Sequence, residues 1–155
     1  MGSRRKPAFF IAGAPMSEIE IGIFNASNQR PINQFYRKHS KSVSCNATDL
    51  IAQARSNNEL VGIGFIRQTT ETEQNERFSL LRSLYVAESY RNQGTGTKLV
   101  KLLCAHFNGE LHTICETDLI HYYELFGFRQ TKINSNMPQA WKKEIKKGLI
   151  LMIRP

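Results

Sequence analysis

No apolar run in this chain approaches the ~18 residues that a membrane-spanning helix needs. Cysteine is scarce as well. Cys45, Cys104 and Cys115 lie far apart with no C-x-x-C pair, which argues against a disulfide framework or a zinc knuckle and fits a reducing compartment such as the cytoplasm. Internal repeats are absent, and no linker interrupts the chain after residue 16. Acidic residues are also few: 13 Asp and Glu stand against 21 Lys and Arg, a formal charge of +8 over 155 residues. The length suits one domain with one core.

Part of that charge sits in the opening "MGSRRKPAFFIAGAP". A basic start and "AFFIAGA" mimic a signal peptide, but the apolar part is short, broken by Gly13 and closed by Pro15. "MSEIEIGIF" then reads as a natural start running directly into a strand. Residues 1–15 are therefore expected to be a vector-derived or upstream extension without order, and residues 16–155 a single domain. Without Arg4, Arg5 and Lys6 the remainder carries +5. So modest an excess suits an anionic cofactor and does not demand nucleic acid.

Hydrophobic patterning lays out the rest. "IEIGIF" at 19–24 alternates and predicts a strand. Pro31, followed by Ile32, Phe35 and Tyr36 at helical spacing, predicts a short helix. Leu50–Ala54 and Leu60–Arg67 form a hairpin across "SNN", since Asn tolerates positive φ. "TTETEQNER" is a loop. "FSLLRSLYV" is apolar enough for a strand buried on both faces. Leu99, Leu103 and Phe107 mark the buried stripe of a helix, and "LHTIC" follows as a strand. "TDLIHYYELFGF" is a short helix ended by Gly127. A last helix begins at Pro138 and stops at Gly148, before the strand "LILMI". In that helix Trp141 and Ile145 face inward, while Lys142, Lys143, Lys146 and Lys147 form a solvated face or one that meets an acidic partner. The fold class is α/β in its α+β form: a mixed, mostly antiparallel central sheet flanked by helices, with at least one parallel crossover around the helix at 94–108.

The segment "SYRNQGTGTKLV", residues 89–100, carries the chemistry. A dinucleotide fingerprint needs a third glycine where Leu99 stands, and a phosphate-binding P-loop needs a Gly-Lys-Ser/Thr that is missing. A tight strand-to-helix turn without a ligand is the plain alternative. Context favours a diphosphate cradle: a strand feeds the loop and an amphipathic helix follows at once. Its unpaired N–H groups and dipole attract an anion, glycine lets phosphate approach the backbone, and Arg91 adds charge at the mouth.

R-x-x-G-x-G after an L-x-V strand resembles the acyl-CoA signature of the GNAT superfamily of N-acetyltransferases, with Arg91, Gly94 and Gly96 in its defining places. "HYYELFGF" resembles that family's "FYEKLGF" segment at Tyr122, Tyr123, Glu124, Gly127 and Phe128. The resemblance runs from Met16 to Pro155, and its strand order matches the family fold. It implies an acyltransferase using acetyl-CoA (coenzyme A as product) on a primary amine, with a small molecule such as an amino acid as acceptor. Acetylation of a protein N-terminus or an aminoacyl-tRNA, and a non-catalytic acyl-CoA-binding module, stay open. So does a homodimer. The short link after "LHTIC", the "LRSLYV" strand and the proline-started helix resemble small bacterial members similar to amino-acid acetyltransferases.

The resemblance assigns cofactor contacts to Leu84, Tyr85, Val86, Arg91, Asn92, Gln93, Gly94, Thr95, Gly96 and Thr97. Within this set, the resemblance implies that a backbone N–H near a bulge at Leu84–Val86 holds the thioester carbonyl, and that the bulge splays this strand from the fifth. It makes Tyr123 the general acid, because a phenol titrating near ~10 stays protonated at pH 7 and can supply a departing thiolate. Tyr122, turned away by ~100°, is the better candidate for a packed aromatic. Many members carry an Asn after the fifth strand, where this chain has Glu116. Glu116 is a candidate base, a substrate contact or a carboxylate attracted by a helix N-terminus. His112 and His121 are lesser candidates, and a water chain is a further route. No metal is implied.

Overall fold

The computed structural model describes residues 18–69 and 76–155. The 1–15 extension and most of the predicted "TTETEQNER" loop lie outside the described residues. Strands β1 (Ile19–Ile23), β2 (Leu50–Ser56), β3 (Glu59–Thr69), β4 (Phe78–Val86), β5 (Leu111–Cys115), β6 (Arg129–Gln130) and β7 (Ile150–Arg154) form one sheet, ordered β1-β2-β3-β4-β5-β7-β6. Helices α1 (Arg30–Lys38), α2 (Thr95–His106), α3 (Ile120–Glu124) and α4 (Gln139–Lys146) flank it. Every pairing is antiparallel except β4 with β5, which α2 connects. This is the mixed sheet that the sequence predicts.

Local chemistry explains each element. Pro31 sits in the first turn of α1, where its missing N–H costs nothing, and Ile32, Phe35 and Tyr36 turn inward. The β2–β3 hairpin closes on Asn57 and Asn58, both at positive φ (51° and 64°), as a two-residue turn with right-handed strand twist requires. On β3, Gly62 and Gly64 clear the way for α2. A Cβ at Gly62 would stand 3.3 Å from Leu99 Cδ1 of α2, and one at Gly64 would stand 3.5 Å from Leu103 Cδ1 of α2 and 3.1 Å from Leu84 Cδ1 of β4. Leu99 and Leu103 then pack with Ala52, Ala54, Val61 and Leu81 in the main core. A second cluster joins α1 to Ile51, Ile63 and Phe65, and a third joins Trp141 of α4 to Phe78, Met137 and Leu151.

Two features of β4 depart from expectation. Only its first half is well buried, and Arg82–Val86 are half-exposed. The cause is its partner: β4 and β5 pair only at Leu80–His112 and Leu81–Thr113, then separate. The Thr113 hydroxyl closes the seam by donating to the Leu81 carbonyl at 3.0 Å. Against β3, Arg82 faces Phe65 and Tyr85 faces Ile63, so Ser83 and Leu84 together oppose Gly64 in a bulge. Ser83 takes a left-handed φ of 59° there. The bulge thus begins one residue ahead of the Leu84–Val86 stretch.

Candidate active site

Where β4 and β5 part, a cleft of about 800 Å³ opens over the mouth of α2. Nine of the ten expected cofactor positions line it: Leu84, Tyr85, Val86, Arg91, Asn92, Gly94, Thr95, Gly96 and Thr97. Gln93 is exposed and outside its wall.

The loop enters α2 through left-handed backbone at Asn92 (φ 64°) and Gly94 (φ 79°). Gly94 is the residue before the helix, and no side chain caps it. The first-turn N–H groups therefore have no partner within the helix and face the cleft with the positive end of its dipole. A Cβ at Gly94 would find nothing within 4 Å, so the space in front of the backbone is open. Arg91 is oriented rather than loose. Its Nε donates to the Val86 carbonyl at 2.7 Å, and its guanidinium lies 5.0 Å from the Tyr85 ring centre. An uncapped helix mouth, an open approach and a fixed cation together suit a diphosphate.

Tyr122 and Tyr123 both line this cleft. The Tyr122 hydroxyl stands 3.4 Å from Thr97 Oγ1, over the first turn of α2. Tyr123 is more deeply set, 7% exposed, with its ring edge-on to Phe128 at 5.7 Å. Burial pushes its phenol up from 10.0 to about 12; Tyr122 and Cys115 add to the rise, and a hydrogen bond with Thr113 opposes it. The phenol is therefore neutral at any working pH.

A second cleft of about 470 Å³ lies beneath α4. Ser83, Ile114 and Tyr123 line both clefts, which places Tyr123 at their junction. Arg82, Thr113, Trp141, Lys143, Glu144 and Lys147 complete much of the second. Lys143 of α4 and Lys147 just beyond it, two of the four lysines expected to form a solvated face, thus border a cavity. The other candidate bases lie elsewhere. Glu116 is exposed at the end of β5, with its carbonyl accepting the Leu119 N–H at 3.0 Å, and it lines neither cleft. His121 is 96% exposed and paired with Glu124 at 2.9 Å. His112 is buried between Phe78 and Trp141. Among the described residues no group of three or more His, Cys, Asp or Glu is placed to hold a metal.

Sequence reasoning missed Arg82, Ser83 and Glu144. Arg82 carried a signal, as the lone charge inside the apolar run "FSLLRSLYV". Ser83 carried none.

A parallel strand pair that splays at a glycine-turned helix mouth defines an acyl-CoA-dependent acyltransferase. The chain belongs to the GNAT acetyltransferases: the family model described as "Acetyltransferase (GNAT) domain" matches residues 48–130, more than half of the chain. A comparison with curated protein sequences finds no match. Solved structures share the fold at low identity. Escherichia coli ElaA is 15% identical over 89% of this chain and 100% of its own, with a TM-score of 0.59. A GNAT family acetyltransferase from Elizabethkingia anophelis with acetyl-CoA bound is 20% identical over 87% and 96%, with a TM-score of 0.56. Arabidopsis thaliana Naa50, in complex with a bisubstrate analogue, is 17% identical over 88% and 98%, with a TM-score of 0.57. Acetyl-CoA is the cosubstrate, and the residues of the first cleft fit it. Among the described residues no helix is long and apolar enough to cross a membrane.

Proposed function

We propose that residues 16–155 form one N-acetyltransferase domain that acetylates the primary amine of a small molecule such as an amino acid, with Tyr123 as proton donor. One observation carries this reading: Tyr123 lies at the junction of the cleft that suits acetyl-CoA and the second cleft beneath α4. The acceptor occupies the second cleft and meets the thioester where Ser83, Ile114 and Tyr123 line both.

Acetyl-CoA supplies an activated acetyl group. As the new C–N bond forms and the C–S bond breaks, the amine must lose a proton and the sulfur must gain one. Tyr123 is held neutral and close to the seam, so it gives that proton to the departing sulfur. A phenol titrating near 12 is a reluctant acid in water. A buried thiolate, however, is itself a stronger base than a free one, which narrows the gap. The backbone at the Ser83–Leu84 bulge turns toward the cleft and orients the carbonyl. Two carboxylates serve the amine: Glu144 in the wall of the second cleft, and Glu116 at the end of β5 through water. The ammonium of a free amino acid is stabilised by its own carboxylate, so it must give up a proton before it attacks, and these carboxylates offer the route. Cys115 also lines the first cleft, but burial and Asp118 raise its thiol above the ordinary range. It is a poor nucleophile, and transfer runs directly from donor to acceptor without an acyl-cysteine. The three thiols are all buried and unpaired, in keeping with the cytoplasm.

The test is coenzyme A release over a panel of amines. Tyr123→Phe should lower kcat by roughly 10²–10⁴ with little change in acetyl-CoA affinity. Equal turnover by the variant would remove Tyr123 from the chemistry. Glu116→Gln and Glu144→Gln, measured across pH, separate the two carboxylates. Acetylation of peptides in preference to small amines would replace the small-molecule reading with a macromolecular one.

A further inference from the structure

The second cleft is lined by a cation that has no counter-ion among the described residues. Arg82 projects from β4 into its wall, half-buried. Its guanidinium lies 5.7 Å from the Phe65 ring centre, and among the described residues its one hydrogen bond, to Ser83 Oγ, is long at 3.4 Å. Burial and the nearby Arg67 both lower its pKa, so the protein disfavours its charge. Asp49 also acts on it electrostatically, but Arg67 already binds that carboxylate through two bonds of 2.9 and 2.7 Å. Among the described residues no carboxylate comes within 4.0 Å of Arg82. The rest of the cleft does not supply one either. Glu144 is paired with Lys147 at 3.1 Å, and Lys143 adds another positive charge. With Arg82, Lys143 and Lys147 against Glu144, the wall is net cationic.

A partly desolvated guanidinium is normally matched by an acid, since its five donors lose water on burial. Among the described residues no acid is free to match it, and Arg82 lines the same cleft as Tyr123. We propose that the acceptor carries an oxyanion, a carboxylate or phosphonate close to the reacting amine, and that Arg82 binds it. This rests on the acetyltransferase reading above and narrows its acceptor to anionic amines. The planar fork suits either oxyacid, and the pair would orient the amine toward the seam. The group transfer is unchanged: C–N forms, C–S breaks, and the amine proton leaves as the sulfur gains one.

The experiment uses the full chain and three matched sets of acceptors: α-amino acids, their carboxamides and the corresponding aminoalkylphosphonates. Coenzyme A release gives kcat/KM for each. An acid should exceed its carboxamide by at least ~10-fold, the usual worth of hydrogen bonds to a charged group. The two acid sets show which oxyanion is read. Arg82→Gln should collapse the acid-to-amide ratio toward one, mainly through KM, and Arg82→Lys should recover part of it. The melting-temperature rise with acetyl-CoA checks that each variant is folded, and the wild-type ratio tests the inference even if a variant is not. Amides used as well as acids, an Arg82→Gln ratio equal to wild type, or turnover confined to uncharged amines or peptides would overturn the inference. A chain that binds acetyl-CoA yet acetylates none of the acids also overturns it and leaves the family chemistry standing. Failure to bind acetyl-CoA at all overturns the underlying reading with it.

Discussion

The phenolic hydroxyl of Tyr36 donates a 2.7 Å hydrogen bond to the carbonyl of Ser83, joining α1 to the bulge of β4. Tyr36 is fully buried, and burial keeps its phenol protonated well beyond the usual range, so the donor is always present. Ser83 is the left-handed residue of the bulge and lines both clefts. Holding a non-glycine residue there costs about 1–3 kcal/mol, which surrounding contacts must offset.

Tyr36→Phe keeps the ring and removes the donor, leaving the Ser83 carbonyl unpaired. Stability should fall by about 1–3 kcal/mol in urea unfolding. Turnover should fall more than acetyl-CoA affinity, because the bulge shapes the junction rather than the helix mouth. Ser83→Gly tests the other side of the same contact: glycine adopts the conformation without strain, and its combination with Tyr36→Phe should be less destabilised than Tyr36→Phe alone. A Tyr36→Phe protein with wild-type stability and turnover would show that the bulge holds itself.

Gly94 makes a sharper prediction. Its φ of 79° is strained for any residue with a Cβ, while the space around that Cβ is open. Gly94→Ala should therefore cost about 1–2 kcal/mol through the backbone alone. Gly94→Val adds a branched side chain where the diphosphate approaches and should abolish the melting-temperature rise with acetyl-CoA. If that rise survives in Gly94→Val, the cofactor does not meet the backbone at this point.

The same contrast explains what could be read from the sequence. The Asn57–Asn58 turn was legible because Asn tolerates positive φ, and Gly94 because a helix mouth that admits a phosphate calls for a residue without a Cβ. The inward face of α2 was legible from its period. Ser83 was not, since its left-handed backbone sits in a bulge whose carbonyl is bonded by Tyr36, 47 positions away. The family resemblance implied that β4 and β5 splay, but "FSLLRSLYV" by itself does not show that their pairing ends at Leu81. Arg82 was visible as a charge out of place, but its role depends on Asp49 being already engaged by Arg67.

Tyr123 links catalysis and stability to alkaline pH. Its phenol is raised from 10.0 to about 12. The unfolded chain ionises first, so the group's contribution is fully present below pH 10 and is lost as pH rises toward 12. Urea midpoints between pH 9 and 11 should fall more steeply in the wild type than in Tyr123→Phe; taking the difference cancels the other tyrosines. The pH–rate profile should show no alkaline limb from this residue below pH 11. An alkaline limb near pH 9 that disappears in Tyr123→Phe would mean the phenol is needed protonated but ionises well below its buried range, so that burial does not hold it neutral through turnover.

His112 provides the opposite test, on the acid side. Its ring packs 5.2 Å from Trp141 and 6.2 Å from Phe78, and among the described residues neither ring nitrogen has a hydrogen-bond partner. Burial lowers its pKa below 6.5, with Glu110 opposing weakly, so the folded protein holds it neutral. The unfolded chain takes up a proton first as pH falls. The stability tied to this residue is therefore present above about pH 6.5 and is lost as pH drops toward the folded-state value. His112→Leu keeps a similar volume and removes two unsatisfied polar atoms. At pH 7.5 it should be at least as stable as wild type, within about 1 kcal/mol. At pH 5 it should be the more stable of the two, by a margin that grows as pH falls. Parallel stability curves for the two proteins from pH 7.5 to 5 would mean the imidazole finds a polar partner in solution and is not held as a neutral, packed ring.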